Sequence, residues 1–90
     1  MTRPNRTCKV LYFAWVREKI GRPHDVLEIP PTVETVGDFI AWLKQKGGEY
    51  EIALEDESVI RVALDQKHAT PKSQLGNSQE IALFPPVTGG

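Results

Sequence analysis

The segment from Phe84 to Gly90, FPPVTGG, contains the residues whose types and spacing most directly suggest chemistry. Two glycines follow a stiff Pro-Pro-Val-Thr run, so they would form a narrow arm with no Cβ beside the final carboxylate. Such a carboxylate could be joined to AMP as an acyl-adenylate, which a sulfur nucleophile could convert into a thiocarboxylate. The arm would then be a substrate for other proteins. The same composition also suits a disordered end after a last strand.

Other groups that could perform catalysis are scarce. His24 and His68 are far apart in sequence and have no nucleophile signature beside them, so both are predicted to be surface histidines. Cys8, the single cysteine, is predicted to face inward as an inert apolar side chain. No phosphate-binding glycine loop and no Cys/His cluster with zinc spacing is present in the sequence. We therefore expect no stably bound cofactor, no metal and a reducing compartment, most simply the cytoplasm.

Length and charge limit the classes of partner. The chain has 90 residues, with 11 Lys and Arg against 12 Asp and Glu, for a formal net charge of −1. This predicts one small domain without a basic field for nucleic acid or an anionic membrane. The apolar run from Val10 to Val16 is too short for a membrane span and lacks the cleavage site of a signal peptide. We expect neither a nucleic-acid nor a membrane partner.

The elements that would position the arm begin with two strands. Thr7 to Trp15 (TCKVLYFAW) is rich in β-branched and aromatic residues and predicts the first strand. A turn or a single helical turn closes at Gly21. Asp25 to Ile29 alternates apolar and polar residues and predicts a second strand, which would form a hairpin with the first.

One clear helix follows, in TVGDFIAWLKQKGG. Thr35 is a predicted N-cap with Asp38 three residues later, a weaker form of the capping box. Gly47 is predicted to adopt the left-handed cap at the C-terminal end. The apolar residues fall at helical spacing on one stripe, which consists of Val36, Phe39, Ile40 and Leu43. This helix would pack on a sheet by that stripe.

The remaining elements complete an α+β domain. YEIALEDES predicts a short helical turn, and three strands follow, from Val59 to Asp65, Lys67 to Thr70 and Glu80 to Phe84. A mixed sheet of about five strands with one main helix on one face is a β-grasp roll, in which the first and last strands are parallel neighbours. We assign residues 1–84 to this domain, with 1–6 as a flexible extension, and residues 85–90 to a protruding tail.

The strand alternation separates a core face from an open face. Side chains of successive strand residues point to opposite faces. The predicted inward set is Cys8, Val10, Tyr12, Ile81 and Leu83. The predicted open-face set is Leu11, Phe13, Ala82 and Phe84. A contiguous apolar group beside the tail indicates an interface, although loops of the same chain could also cover the two aromatic residues.

These segments resemble the small subunit of molybdopterin synthase, a ubiquitin-like sulfur carrier family. The resemblance is carried by KVLYFAWVREKIG, TVGDFIAWL and VALDQ, and most specifically by EIALFPPVTGG. It implies that a ubiquitin-activating-like adenylyltransferase uses ATP to adenylate Gly90, which then carries sulfur as a thiocarboxylate. It also implies that the tail inserts into the synthase large subunit, in a heterotetramer, and supplies the dithiolene sulfurs of molybdopterin.

The resemblance also implies roles for individual residues. Gly90 corresponds to the reactive end, and Phe13 and Phe84 correspond to the apolar contact with both partners. The inserted arm corresponds to Pro85, Pro86, Val87, Thr88 and Gly89. His68 stands where the family often has an aliphatic residue, so this member of the apolar contact departs from the family pattern.

Three other functions remain open at this stage. The chain could carry sulfur for another product, such as thiazole or cysteine, and the co-purifying partner would reveal this. It could be a protein modifier that is attached to lysines through Gly90. It could also be a plain binding module with an inert tail, in which case deleting Gly89 and Gly90 would change nothing.

Overall fold

The computed structural model describes residues 4–86, which form five strands and three α-helices. In chain order the elements are β1 (Arg6–Tyr12), α1 (Ala14–Ile20), β2 (His24–Ile29), α2 (Val36–Lys44), α3 (Gly48–Ala53), a 3₁₀ turn (Glu57–Val59), β3 (Arg61–Leu64), β4 (Lys67–Ala69) and β5 (Glu80–Phe84). The last strand has the predicted bounds.

The five strands form one mixed sheet in the order β2-β1-β5-β3-β4. The first and last strands, β1 and β5, are parallel neighbours, with Val10 opposite Ile81. β1 also pairs antiparallel with β2, and β3 pairs antiparallel with β5 and β4. The predicted α+β fold, a β-grasp roll with a central parallel pair, is confirmed.

The hydrophobic core lies between the sheet and α2. The predicted inward residues are at most 2% exposed: Cys8, Val10, Tyr12, Ile81 and Leu83. The predicted helix stripe that covers them is at most 4% exposed: Val36, Phe39, Ile40 and Leu43. Both sets were assigned from periodicity alone. Burial of these side chains is the main contribution to the stability of a domain this small.

The end of β1 differs from the prediction of a strand from Thr7 to Trp15. β1 ends at Tyr12, and Phe13 is the N-cap of α1. The reason is the backbone at Ala14, whose φ of 52° lies in the left-handed region and turns the chain out of the sheet. α1 is a helix of 7 residues, longer than the predicted single turn, and closes as predicted at Gly21 with φ of 91°.

α2 begins as predicted and ends differently. The Thr35 hydroxyl accepts a hydrogen bond from the Asp38 N–H at 3.1 Å, and the Asp38 carboxylate accepts one from the Thr35 N–H at 3.1 Å. These bonds complete the capping box, and with the Glu34 N–H bond they lower the pKa of Asp38. The prediction that Gly47 caps the helix is wrong: Gln45 is its C-cap, and Gly47, with φ of 77°, is the N-cap of α3.

The elements after α2 are shorter than predicted at their ends. β3 does not extend from Val59 to Asp65, because Val59 belongs to the 3₁₀ turn and Asp65 starts the turn into β4. Asp65 and Gln66 have φ of 48° and 72°, which reverses the chain between the two strands. The Asp65 carboxylate accepts hydrogen bonds from the backbone N–H groups of Gln79 and Glu80, both at 3.0 Å, which ties this turn to β5.

A polar network ties β2 to α3 near one edge of the sheet. The Asp25 carboxylate accepts hydrogen bonds from the hydroxyls of Tyr12 at 2.9 Å and Tyr50 at 2.7 Å, and pairs with Arg22 at 2.7 Å. Arg22 also pairs with Glu49 at 3.1 Å and lies over the Tyr50 ring. Burial alone would raise the pKa of Asp25, but the hydrogen bonds to its carboxylate outweigh burial and lower that pKa.

The lowered pKa of Asp25 predicts a pH-dependent contribution to stability. A carboxyl group with a depressed folded-state pKa stabilises the fold above its unfolded pKa of about 3.9, and this contribution is lost as the pH falls through the folded value. We expect Asp25→Asn to lower the free energy of unfolding at pH 7 by about 1–3 kcal/mol. Its stability should also decline less steeply than that of the wild type as the pH is lowered through about 4 to 2.

Urea denaturation at pH 7, 5 and 3 measures both effects. Glu28→Gln, at an exposed position on the same strand, is the matched control and should follow the wild-type curve. Equal pH dependence of the wild type and Asp25→Asn would show that the network does not favour the ionised carboxylate.

Candidate functional site

The helices leave one face of the sheet open. Val16 and Ile20 of α1 and Ala53 of α3 belong to the same buried cluster as the stripe of α2. The three helices of residues 4–86 therefore contribute to the core on one face of the sheet. The opposite surface is called the open face below.

A row of side chains crosses the open face from strand to strand. Leu11 on β1 lies opposite Ala82 on β5, Ala82 lies opposite Ala63 on β3, and Ala63 lies opposite His68 on β4. Ala63 was not among the residues predicted from the sequence for this face. The signal was present, however, because the residue occupies the alternate position within the predicted third strand. The sheet thus joins residues from four strands into one surface.

Two phenylalanines lie where β1 and β5 leave the sheet. The half-buried Phe84 ring contacts the His68 ring edge to face, with centroids 5.5 Å apart. Phe13 is 48% exposed, and its backbone N–H donates to the Leu83 carbonyl at 3.1 Å, which holds it beside β5. The structure thus brings together the predicted partner-binding residues. We define the open-face patch as Leu11, Phe13, His68, Ala82 and Phe84.

The residues of the open-face patch are not equally exposed, although all were predicted to lie on an open surface. Ala82 is only 8% exposed, because its small side chain lies between the strands that carry Leu11 and Ala63. Phe13 lies just beyond the end of β1, and it is one of the large apolar residues that are exposed among those described. The accessible apolar surface is therefore supplied mainly by the aromatic residues at the strand ends.

The tail begins at the open-face patch. Pro85 and Pro86 follow β5 directly and are half-buried. The other predicted tail residues, Val87, Thr88, Gly89 and Gly90, lie outside the described residues. The proposed chemistry at Gly90 therefore stays a prediction.

Cys8 lies in the core, as predicted. It is 2% exposed, and its Sγ donates to the Ser78 carbonyl at 3.4 Å. Burial raises the pKa of this thiol, which disfavours the reactive thiolate. The residue is therefore poorly suited to carry sulfur.

Among residues 4–86, no group of three or more His, Cys, Asp or Glu side chains could hold a metal ion. None of the helices in that range is long and apolar enough to cross a membrane.

The fold is that of a ubiquitin-like β-grasp protein, and comparisons with known proteins give the family. The ThiS family matches residues 10–90. The molybdopterin synthase sulfur carrier subunit of Haemophilus influenzae is 40% identical over 81 residues, which cover 90% of this chain and 96% of the relative. The protein of the same name from Escherichia coli is 38% identical and covers 91% and 98% of the two chains.

A solved structure agrees with these sequence relationships. The solution structure of small archaeal modifier protein 1 from Methanosarcina acetivorans has a TM-score of 0.66 and is 28% identical, covering 96% of this chain and 98% of that one. The chain belongs to the ThiS family. The resemblance to sulfur carriers that the sequence analysis identified is confirmed.

Residues on the two faces of the sheet should respond differently to truncation. We expect Phe13→Ala to change the free energy of unfolding by about 1 kcal/mol or less, because the side chain is half exposed at a helix cap. Leu83→Ala, on the adjacent β5 position that faces the core, should cost about 2–5 kcal/mol. Urea denaturation of both variants tests this assignment, and a larger loss for Phe13→Ala than for Leu83→Ala would contradict it.

Proposed function

We propose that this chain is the sulfur carrier subunit of a molybdopterin synthase and that Gly90 carries the sulfur. One observation supports this function above the others. The parallel pairing of β1 and β5 brings Phe13, Phe84 and the start of the FPPVTGG tail together at the carboxyl ends of these two strands. An exposed aromatic surface is thereby attached to a narrow arm. The relatives named molybdopterin synthase sulfur carrier subunit indicate which pathway uses such an arrangement.

The proposed chemistry takes place at the terminal carboxylate. A Gly90 carboxylate oxygen attacks the α-phosphorus of ATP, which releases pyrophosphate and leaves an acyl-adenylate. A sulfur nucleophile at the oxidation level of sulfide then displaces AMP, so that sulfur replaces one carboxylate oxygen. Transfer of this sulfur to the pterin precursor, with water restoring the carboxylate, returns the carrier for another round. Two loaded carriers used in succession would supply the two sulfurs of the dithiolene.

Other proteins would provide the catalytic groups. The described residues include a buried thiol at Cys8 and a structural carboxylate at Asp25, and both are engaged in hydrogen bonds within the domain. We therefore propose a sulfur-donating subunit whose residues 4–86 supply no catalytic group. The adenylyltransferase would activate Gly90, and the synthase large subunit would receive the loaded tail.

The open-face patch would dock against these two partners. Phe13 is exposed, and Phe84 lies immediately before Pro85 at the base of the arm. A partner that covers these rings therefore fixes the point from which the arm extends. Aromatic anchors of this kind often carry a large share of the binding free energy.

Attachment to lysines is the second candidate function. The structural similarity to small archaeal modifier protein 1 favours it over the remaining alternatives. It begins with the same activation of Gly90, but the acceptor is a lysine amine instead of a sulfur nucleophile. Gly-Gly remnants on lysines of other proteins, found by mass spectrometry after digestion, would support this function. A thiocarboxylate on the protein purified from its own cells would support the sulfur carrier.

The docking role predicts a loss of affinity without loss of fold. Phe84→Ala and Phe13→Ala should each weaken binding to the large subunit by about 2 kcal/mol, because each removes an aromatic anchor. Isothermal titration measures the affinity, and circular dichroism checks the fold. Cys8→Val, in the core, is the matched control and should bind normally. Wild-type affinity in both folded phenylalanine variants would remove the open-face patch from the docking surface.

The carrier role predicts strict requirements at the tail. Adding one residue after Gly90 should abolish loading, because the activated carboxylate would be displaced from its position in the activating enzyme. Gly89→Val should impair loading, because it adds β-branched bulk and disfavours positive φ. ATP-dependent thiocarboxylate formation, read by intact mass with the activating enzyme and a sulfur source, measures both effects.

The stability of these tail variants provides the control. Neither change alters the described core, so the free energy of unfolding should stay within about 0.5 kcal/mol of the wild type. Normal loading of the extended chain, without prior trimming to Gly90, would falsify the carrier function.

A further inference from the structure

The polar member of the open-face patch is His68, on the edge strand β4. Its side chain is exposed, and its ring contacts Phe84 edge to face at 5.5 Å. Among residues 4–86, its ring nitrogens have no hydrogen-bond partner. His68 lies opposite Ala63, which lies opposite Ala82, which in turn lies opposite Leu11. The imidazole is therefore continuous with the rest of the patch across four strands. A protein that covers Phe84 would therefore also cover His68.

The charged groups around His68 favour an acidic partner. On β3, Arg61 lies opposite Phe84, and its guanidinium donates to the carbonyls of Ser58 at 2.9 Å and Ile60 at 3.4 Å. Arg61 has no carboxylate partner among residues 4–86. Lys67 precedes His68 on β4 and is exposed, but it lies opposite Leu64, on the other face of the strand.

The remaining charges of the open face lie farther along the strands. Lys9 on β1 and Glu80 on β5 face each other in the parallel register, two pairs away from Leu11 and Ala82. The Asp65 carboxylate accepts hydrogen bonds from the backbone N–H groups of Gln79, just before β5, and Glu80, its first residue. Glu57 lines the same cavity as Arg61 and His68, but it pairs with Lys44 at 3.7 Å. Arg61 is therefore the basic group at this end of the open face that has no carboxylate partner among residues 4–86.

Docking would impose a cost on an unpaired imidazole. A polar group that loses water without gaining a hydrogen bond destabilises the complex, whereas a charged donor facing a carboxylate forms a stronger bond than a neutral pair. An imidazole ordinarily gains its positive charge between about pH 8 and 5. The partner therefore binds this chain well only if it supplies an acceptor opposite the ring, and a carboxylate matches the surrounding charges.

We propose that His68 is a specificity-determining residue of the open-face patch, which selects a partner surface that places a carboxylate opposite its ring. This inference rests on the proposed function, since it takes the synthase large subunit as the protein that covers the patch. A positively charged imidazole binds such a carboxylate more strongly than a neutral one does. The complex should consequently be tighter at pH 6 than at pH 8.

The experiment compares three chains in titrations with the purified large subunit at pH 6 and pH 8. The wild type should bind about three- to tenfold more tightly at pH 6, as for a partly desolvated charge pair. His68→Gln keeps a polar side chain but cannot gain charge, so it should lose this pH effect and bind about three- to tenfold more weakly than the wild type at pH 6. His24→Gln is the matched control for the loss of an imidazole, because His24 neighbours Leu11 but lies on β2, at the opposite edge of the sheet from β4.

Two results separate this inference from the proposed function. If the wild type and Phe84→Ala differ in affinity, but His68→Gln keeps the wild-type pH dependence and affinity, the role of His68 is overturned and the docking surface stands. If the folded wild type does not bind the large subunit at either pH, the proposed function fails and the inference fails with it. A His24→Gln variant that lost the pH effect as fully as His68→Gln would also overturn the assignment to His68.

Discussion

The parallel pairing of β1 and β5 is the constraint on which the rest of the structure depends. It joins the first and last strands of the chain, so every other element lies between these two strands in sequence. Two neighbouring parallel strands cannot be joined by a tight turn. Here the connection from β1 to β5 contains the three helices and the strands β2, β3 and β4. Because the carboxyl ends of parallel strands lie side by side, Phe13, at the end of β1, lies close to Phe84 and to the start of the tail.

β5 serves two purposes because its side chains alternate. Ile81 and Leu83 are fully buried against the helices, whereas Ala82 and Phe84 belong to the open-face patch. The core therefore holds the patch in register without using its side chains. This separation explains how the same short strand can contribute to both stability and docking. It also explains why the arm leaves from a rigid point, since Pro85 follows the last paired residue directly.

Polar interactions stabilise the periphery of this arrangement. The Asp25 carboxylate links β1, β2 and α3 through two tyrosine hydroxyls and one guanidinium, at the edge of the sheet away from β4. Asp65 performs a similar task at the turn between β3 and β4 by accepting two N–H groups next to β5. Both carboxylates are occupied in holding elements together. His68, by contrast, has no hydrogen-bond partner within residues 4–86, which leaves it available for a partner protein.

The alternation of side chains in strands and the spacing of the α2 stripe were sufficient to predict the core, because a period of two or of 3.6 residues decides which face a residue occupies. The Thr35 capping box was predictable for a similar reason, since its hydrogen bonds are local. The early end of β1 was not predictable from the sequence. A positive φ is intrinsically unfavourable for Ala14, and this residue adopts it only because the chain must leave the sheet there for α1 to pack. The contact of His68 with Phe84 likewise depends on β3 lying between β4 and β5. Local patterns are set by neighbours in sequence, whereas this surface is assembled from four strands, and only their pairing in the folded chain decides which side chains meet.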